Sequence, residues 1–194
     1  MKIGIIGLNG IGSYFVRSLN EALKKDIKGF DDINPYDIDL IDFDTIEEKN
    51  LTYTIYEVEH IGMKKVNVLA EIIGYKAVDK KVETFEDIKN YDFLILCVDN
   101  NKVRNIVYDS NIPFLDLRAK GKGILAYLTQ KQLDDGEYKN LTIDDGTQAS
   151  CQYDVDVEEK DIEFGNKIIA EIGLQIFKDY LKGEISQKKY ILMV

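Results

Sequence analysis

At 194 residues, with 45% apolar and 31% charged side chains, the chain has the length and composition of one soluble globular domain with room for a core. No run approaches the ~20 apolar residues of a membrane helix. A formal net charge of -10, with Arg17, Arg104 and Arg118 the only arginines, argues against duplex nucleic acid, whose affinity comes largely from neutralised phosphates.

In chain order, Lys2 to Gly7 reads as a buried strand. Its apolar run has no small-residue cleavage site and breaks at Asn9-Gly10, so it does not read as a secretory signal. Ile11 to Lys25 follows as a helix, with Tyr14, Phe15, Leu19 and Leu23 on or near one face. Residues 26 to 36 have loop composition, with Gly29, Asp31, Asp32, Asn34 and Pro35. Asp37 to Phe43 alternates into a second strand, Ile61 to Ile73 reads as a helix, and Tyr75 to Val78 as a short strand. Phe93 to Val98 is a fully apolar strand ending at Asp99-Asn100-Asn101, and Lys102 to Tyr108 suits a short helix. Pro113 to Leu117 and Ile124 to Leu128 are further strands, residues 130 to 160 are polar, Ile162 to Leu181 is an amphipathic helix, and Lys189 to Val194 a last strand. Alternating strands and helices predict an α/β fold: a Rossmann-like, mostly parallel sheet with helices on both faces and an antiparallel extension where the later connections shorten. No linker divides the chain, so residues 1 to 194 are expected to form a single domain.

The first strand–helix junction carries Gly7-Leu8-Asn9-Gly10-Ile11-Gly12-Ser13. A tight glycine turn there exposes backbone N–H groups at a helix N-terminus, which suits a phosphate. Asn9 stands where the usual G-x-G-x-x-G pattern has its middle glycine; asparagine tolerates positive φ better than most residues, so the turn is expected to survive. Without a ligand the same motif serves simply to pack a helix on a sheet. Asp42 closes the second strand, where an acid can bind ribose hydroxyls of a dinucleotide or of ATP. It lies 35 residues after Gly7, beyond the common separation of about 20, and the 26 to 36 loop accounts for the excess.

Three segments, in order, carry a family resemblance. Asp42-Phe43-Asp44-Thr45-Ile46-Glu47-Glu48-Lys49-Asn50-Leu51 resembles the DFDTVExxNL run of the ThiF/MoeB/HesA family, to which the ubiquitin-activating enzymes also belong. Ile61-Gly62-Met63-Lys64-Lys65-Val66 resembles its xGxxKV run, and Leu96 to Asn105, with Asp99, Asn100 and Arg104, its xxxDNxxxR run. The closing helix, Gly165 to Leu181, resembles the family's final long helix. The resemblance implies ATP-dependent adenylation of the C-terminal carboxylate of a small ubiquitin-like or sulfur-carrier protein. It implies Gly7, Asn9, Gly10, Gly12, Asp42 and Asp44 as nucleotide-binding residues, with Asp42 on the ribose. Asn50 would lie near the phosphates, Lys65 would contact a phosphate, Asp99 would bind Mg²⁺, and Arg104 would brace the loop or a phosphate. A hard carboxylate oxygen suits Mg²⁺, which takes one or two protein carboxylates plus phosphate and water. A homodimer, no nucleic acid, no membrane and the cytoplasm complete the expectation.

On the residues alone, Asp44 and Glu47 also suit helix caps or surface acids, Lys65 a solvated helix lysine, and Asp99-Asn100 a plain turn after a strand.

The pattern departs from the family in three places. The NLxRQ continuation has Tyr53 where the family has an arginine that contacts the ATP phosphates, and a phenol supplies no positive charge. Lys49, Lys64 and Lys120 are the candidates to compensate. The sequence opens directly on the first strand, where family dimers often use a preceding helix to send an arginine into the partner's site. The paired C-x-x-C zinc motifs are missing. Cys151, within the long polar segment, has the nucleophilic chemistry for an acyl thioester but also suits an incidental thiol; Cys97 reads as core, and His60 as a cap or solvent-facing residue. Two other readings stay open: a non-catalytic nucleotide-binding or partner subunit, and a nicotinamide-dependent oxidoreductase on the same generic fold.

Overall fold

The computed structural model describes residues 1–120, 123–129, 161–184 and 189–193. Seven strands form one sheet: β1 (Ile3–Ile6), β2 (Ile38–Asp42), β3 (Lys76–Asp79), β4 (Phe93–Leu96), β5 (Phe114–Lys120), β6 (Gly123–Thr129) and β7 (Lys189–Met193). The spatial order is β3-β2-β1-β4-β5-β6-β7. The five strands from β3 to β5 pair in parallel, with Ile3 opposite both Ile38 and Phe93, and Leu96 opposite Asp116. β5, β6 and β7 pair antiparallel, the extension expected from the short late connections. Among the described residues four α-helices accompany them: α1 (Gly10–Lys24), α2 (Lys65–Ile73), α3 (Asn101–Asp109) and α4 (Asp161–Leu181).

Alternation of side chains across the sheet makes two cores. Ile3, Ile5 and Leu40 face α1, α2 and α4, which contribute Phe15, Leu19, Val66, Leu69 and Phe177. Ile6, Ile41, Leu94 and Leu96 point the other way, onto Val103 and Val107 of α3. The strands are apolar at nearly every position because both faces are covered. Burying a side chain the size of Phe or Leu contributes about 1.5–3 kcal/mol, so the middle of the sheet is the rigid part of the molecule. Phe93 stacks against Phe177 at 5.1 Å between ring centroids, and Phe30, from the 26 to 36 loop, reaches the same ring at 6.3 Å. That loop is therefore tied to the core, and its length leaves Asp42 at the sheet's carboxyl edge. No helix among the described residues is long and apolar enough to cross a membrane.

Two local expectations need correction. The helix expected from Ile61 starts at Lys65, because Gly62 holds φ +84 and a short 3₁₀ turn occupies Val58–His60. The last parallel strand extends past Leu117 to Lys120, so Arg118 belongs to the sheet rather than to a loop. The polar 130 to 160 segment, Cys151 included, lies outside the described residues.

Candidate functional site

The carboxyl ends of β1, β2, β4 and β5 open into a cleft of about 640 Å³. Parallel strands of an α/β sheet bring their following loops together at this edge, and where the chain order reverses between neighbouring strands the loops diverge and leave a crevice. Here β1 is flanked by β2 and β4, so the reversal falls at β1. Gly7, Asn9, Gly10, Asp42, Asp44, Asn50, Lys65, Asp99 and Arg104 all line the cleft; Gly12 lies beneath them, packed against Gly7.

The glycine turn is shaped by close backbone approach. Gly7 has φ +88, and a Cβ on it would lie 2.7 Å from the carbonyl oxygen of Cys97. A Cβ on Gly12 would lie 1.9 Å from the carbonyl oxygen of Gly7, so α1 can start this close to β1 only with glycine there. The turn survives with Asn9 in the middle place, and without a positive φ there: the φ of Asn9 is -82, and Gly7 alone provides the left-handed step. Asn9 is the residue before α1, yet its side chain caps nothing. Its Oδ1 is buried without a hydrogen-bond partner among the described residues, and a ligand hydroxyl or amine is the kind of donor that would satisfy it.

On the β2 wall, Asp42 is 8% exposed. Its Oδ2 accepts the Leu8 N–H at 2.6 Å and its Oδ1 the Asp44 N–H at 2.9 Å, tying the β1 and β2 loops together. Burial pushes its carboxyl above the ordinary carboxylate value, with the two N–H donors and Lys65 pulling it back. Tyr56 donates its hydroxyl to the Leu8 carbonyl at 2.6 Å from behind the same turn. Lys65 is not a solvated helix lysine: its side chain is 4% exposed and its Nζ reaches Asp44 Oδ2 at 3.3 Å, with Asp44 half-exposed. Glu47 and Asn50 cap each other's backbone in a short 3₁₀ turn over Glu48–Thr52. The Asn50 amide is thereby committed locally, accepting the Glu47 N–H and donating to the Tyr53 hydroxyl at 2.9 Å. Tyr53 itself is buried and lines the cleft. Asn166 of α4 donates to the Tyr53 carbonyl at 3.4 Å and fills the space that a Cβ on Gly10 would need.

On the β4–β5 wall, Asp99 is exposed on the bend after β4 and forms no ion pair among the described residues. Asn100 caps α3 by accepting the Lys102 N–H at 2.8 Å. Arg104 reaches back from α3 to brace the bend, donating to the Val98 carbonyl and to Asn101 Oδ1, and its Nε meets Asp116 at 3.4 Å. Asp116 is fully buried; Arg118 holds its Oδ2 through Nε at 2.7 Å. Cys97 lines the floor of the cleft, and burial pushes its thiol far above the ordinary range, so it is an inert wall residue. His60 accepts the Glu57 N–H and caps its own turn away from the cleft.

Sequence reading missed Asp116, Arg118, Asn166, Lys80 and Lys81, all of them but Asp116 on the lining. A signal existed for Asp116 alone: a charge inside an otherwise apolar strand calls for a partner. Nothing local marks Asn166 or the two lysines. Of the candidates to compensate for Tyr53, Lys49 lines the cleft, whereas Lys64 turns to the Phe43 carbonyl and Asp79. The side chain of Lys120 lies outside the described residues.

Six basic and four acidic side chains line the cleft of a chain whose overall charge is -10, so an anionic ligand suits it. The glycine cradle and the basic lining fit a nucleotide phosphate, and the orphaned Asn9 oxygen fits a hydroxyl or amine elsewhere on a nucleotide. No group of three His, Cys, Asp or Glu converges among the described residues. The lone carboxylate of Asp99 fits Mg²⁺, which completes its shell with phosphate and water, better than a metal needing an all-protein cage.

A doubly wound α/β sheet with an anion-suited cleft at its topological switch point defines a nucleotide-binding class of fold. Residues 1–114 match the ThiF family, and the chain belongs to that family. The structure is similar to that of E. coli MccB crystallised with ATP (TM-score 0.71, 15% identity, covering 100% of this chain and 60% of that one). It is similar to the microcin C7 biosynthetic enzyme MccB in complex with N-formylated MccA (TM-score 0.74, 15% identity, 100% and 61% covered) and to selenomethionine PaaA (TM-score 0.69, 16% identity, 100% and 60% covered). At these identities the likeness speaks to the fold, and the chain spans about three-fifths of the length of those proteins. No curated protein matches it.

Proposed function

We propose that this protein binds ATP with Mg²⁺ in the cleft and adenylates the C-terminal carboxylate of a small ubiquitin-like or sulfur-carrier protein. A carboxylate oxygen attacks the α-phosphorus of ATP; the bond from that phosphorus to the oxygen bridging to the β-phosphate breaks, and pyrophosphate leaves with that oxygen and its electron pair. Catalysis of this kind is mainly positioning and electrostatics. Asp42 would take the ribose hydroxyls, the Gly7–Gly12 turn and Lys65 the phosphates, and Asp44 would hold Lys65 in place. Asp99 would hold Mg²⁺, which offsets phosphate charge when bound, while Arg104 keeps the Asp99 bend in shape. Asn50 would act by shaping the wall next to the phosphates. The observation that carries the reading is the convergence of the glycine turn, Asp42, Lys65 and Asp99 on one cleft of a ThiF-family fold. The MccB structures contain ATP in one case and MccA in another, which supports a nucleotide and a small protein or peptide as ligands here. A homodimer working in the cytoplasm is part of the proposal.

Tyr53 favours a second reading, a nucleotide-binding subunit without catalysis of its own, because a neutral buried phenol replaces a phosphate-binding arginine. Isotope exchange between labelled pyrophosphate and ATP separates the two. Exchange is expected when the correct carrier is supplied and almost none without it, and Asp99→Ala is expected to remove it. Equal inactivity of wild type and Asp99→Ala, with a carrier shown to bind, selects the non-catalytic reading.

A further inference from the structure

We propose that the phenol of Tyr53 donates a hydrogen bond to the phosphates of the nucleotide, as a neutral donor held out of water. The inference rests on the ATP reading above, whether or not catalysis follows binding, and names a residue for it. Tyr53 is 4% exposed and lines the cleft. A buried phenol has one hydrogen to give and calls for an acceptor. The Tyr53 oxygen already accepts a hydrogen bond, from Asn50 Nδ2 at 2.9 Å. The orientation of that amide is settled by its other end, because Asn50 Oδ1 accepts the Glu47 N–H at 2.9 Å. Asn50 is therefore the donor in its contact with Tyr53, and the phenol hydrogen points elsewhere. Among the described residues no acceptor takes it.

The mounting of Tyr53 holds this donor beside the glycine turn. Tyr56 donates to the Leu8 carbonyl at 2.6 Å, and Tyr14 of α1 donates to the Thr54 carbonyl at 3.2 Å. Asn166 of α4 donates to the Tyr53 carbonyl at 3.4 Å and packs on Gly10. The Tyr53–Tyr56 segment is thus strapped to the glycine turn, to α1 and to α4, and residue 53 has little freedom to turn away. The acceptor for its hydrogen is then a molecule that enters the cleft. Phosphate oxygens accept hydrogen bonds, and a lining with six basic and four acidic side chains draws an anion. A hydrogen bond to a charged oxygen is the stronger kind, and more so away from water. Lys49, on the same wall, is 67% exposed and already beside Glu47, so its charge acts through solvent. The phenol supplies direction where the lysine supplies charge.

Calorimetry with ATP and Mg²⁺, together with phosphorus NMR of the bound ATP, tests this on wild type and Tyr53→Phe. The variant loses one oxygen and keeps the ring. Its ATP affinity is expected to fall about 10- to 150-fold, the range for a hydrogen bond to a charged group. At saturating ATP, at least one phosphorus resonance of the bound nucleotide is expected to move between wild type and variant. A change in affinity below about 3-fold overturns the assignment. A loss of affinity with every phosphorus resonance in place also overturns it, because the phenol then acts only as a support for Asn50. Both of these outcomes leave the ATP reading standing. If Tyr53→Phe does not fold, Tyr53→Met, which also lacks the donor, is read by the same two measurements. Wild type that does not bind ATP overturns the assignment and the ATP reading together.

Discussion

The two walls of the cleft are built on different physical principles. The β2 wall is assembled by local hydrogen bonds: Asp42 ties Leu8 and Asp44, Glu47 and Asn50 cap one turn, and Lys49 pairs with Glu47 two residues away. Several of its charged groups are half-exposed, and screening by water keeps such pairs weak. The β4–β5 wall is held by charges out of water, with Asp116 fully buried between Arg104 and Arg118 from two different elements. One wall can adjust, because water compensates for each broken contact. The other cannot, because a lost partner leaves a charge uncompensated in the interior. A cleft with one adaptable and one rigid wall suits a ligand whose flexible part meets the first and whose charge is aimed by the second.

Removing the shared carboxylate should give the largest effect. Asp116→Ala leaves two guanidiniums buried beside the space it vacates, and an expected loss of about 3–5 kcal/mol follows from breaking a buried pair. Urea denaturation followed by circular dichroism measures it, and a loss below about 1 kcal/mol, the level of an exposed pair, would erase the difference between the walls.

The second test sharpens the β2 wall through pH. Burial raises the Asp42 carboxyl above its ordinary 3.8. The folded state therefore holds this proton more tightly than the unfolded chain. The stability it contributes is fully present below 3.8 and is lost as pH rises through the raised folded value. Asp42→Asn lacks the titration, so wild type is expected to lose stability relative to the variant as pH rises above 3.8, tracked by urea midpoints. A difference that stays flat, or slopes the other way, means that the Leu8 and Asp44 N–H donors outweigh burial.

The smallest effect is expected at Lys49. Its pair with Glu47 is exposed on both sides, 67% and 59%, so Lys49→Ala should leave the denaturation midpoint unchanged within error. A destabilisation approaching that of Asp116→Ala would show that this wall also depends on fixed charge.

The unequal legibility of the walls in the sequence follows from the same contrast. Asp42, Asp44, Asn50 and Lys65 sit in runs whose order and spacing resemble a family pattern, and their contacts are mostly within a few residues or between consecutive elements. Asp99 could be placed as well, since it follows an unmistakably apolar strand. Arg118 could not, because the strand signal faded at Leu117 and the continuation to Lys120 depends on pairing with β6, where Arg118 lies opposite Leu125. Asn9 shows the limit from the other side: its residue type suggested a left-handed conformation, but the close approach of Gly12 to Gly7 decided which residue takes it.

By itself, then, the amino-acid sequence determined the alternation of strands and helices, the parallel sheet with its antiparallel extension, and the glycine, aspartate and lysine positions at the strand ends. Those features are written in hydrophobic period and in short-range turn chemistry, which need no knowledge of distant neighbours. Tertiary structure alone decided that Asn166 of α4 would meet both Gly10 and Tyr53, and that Lys64 and Lys65, adjacent in the chain, would part, one to Asp79 and one into the cleft. It also decided that two arginines would share one buried carboxylate. The contacts of Asn166, Lys64, Lys65 and Arg104 each join different elements, fixed by strand register and helix docking, and no local pattern encodes which charge will be buried beside which.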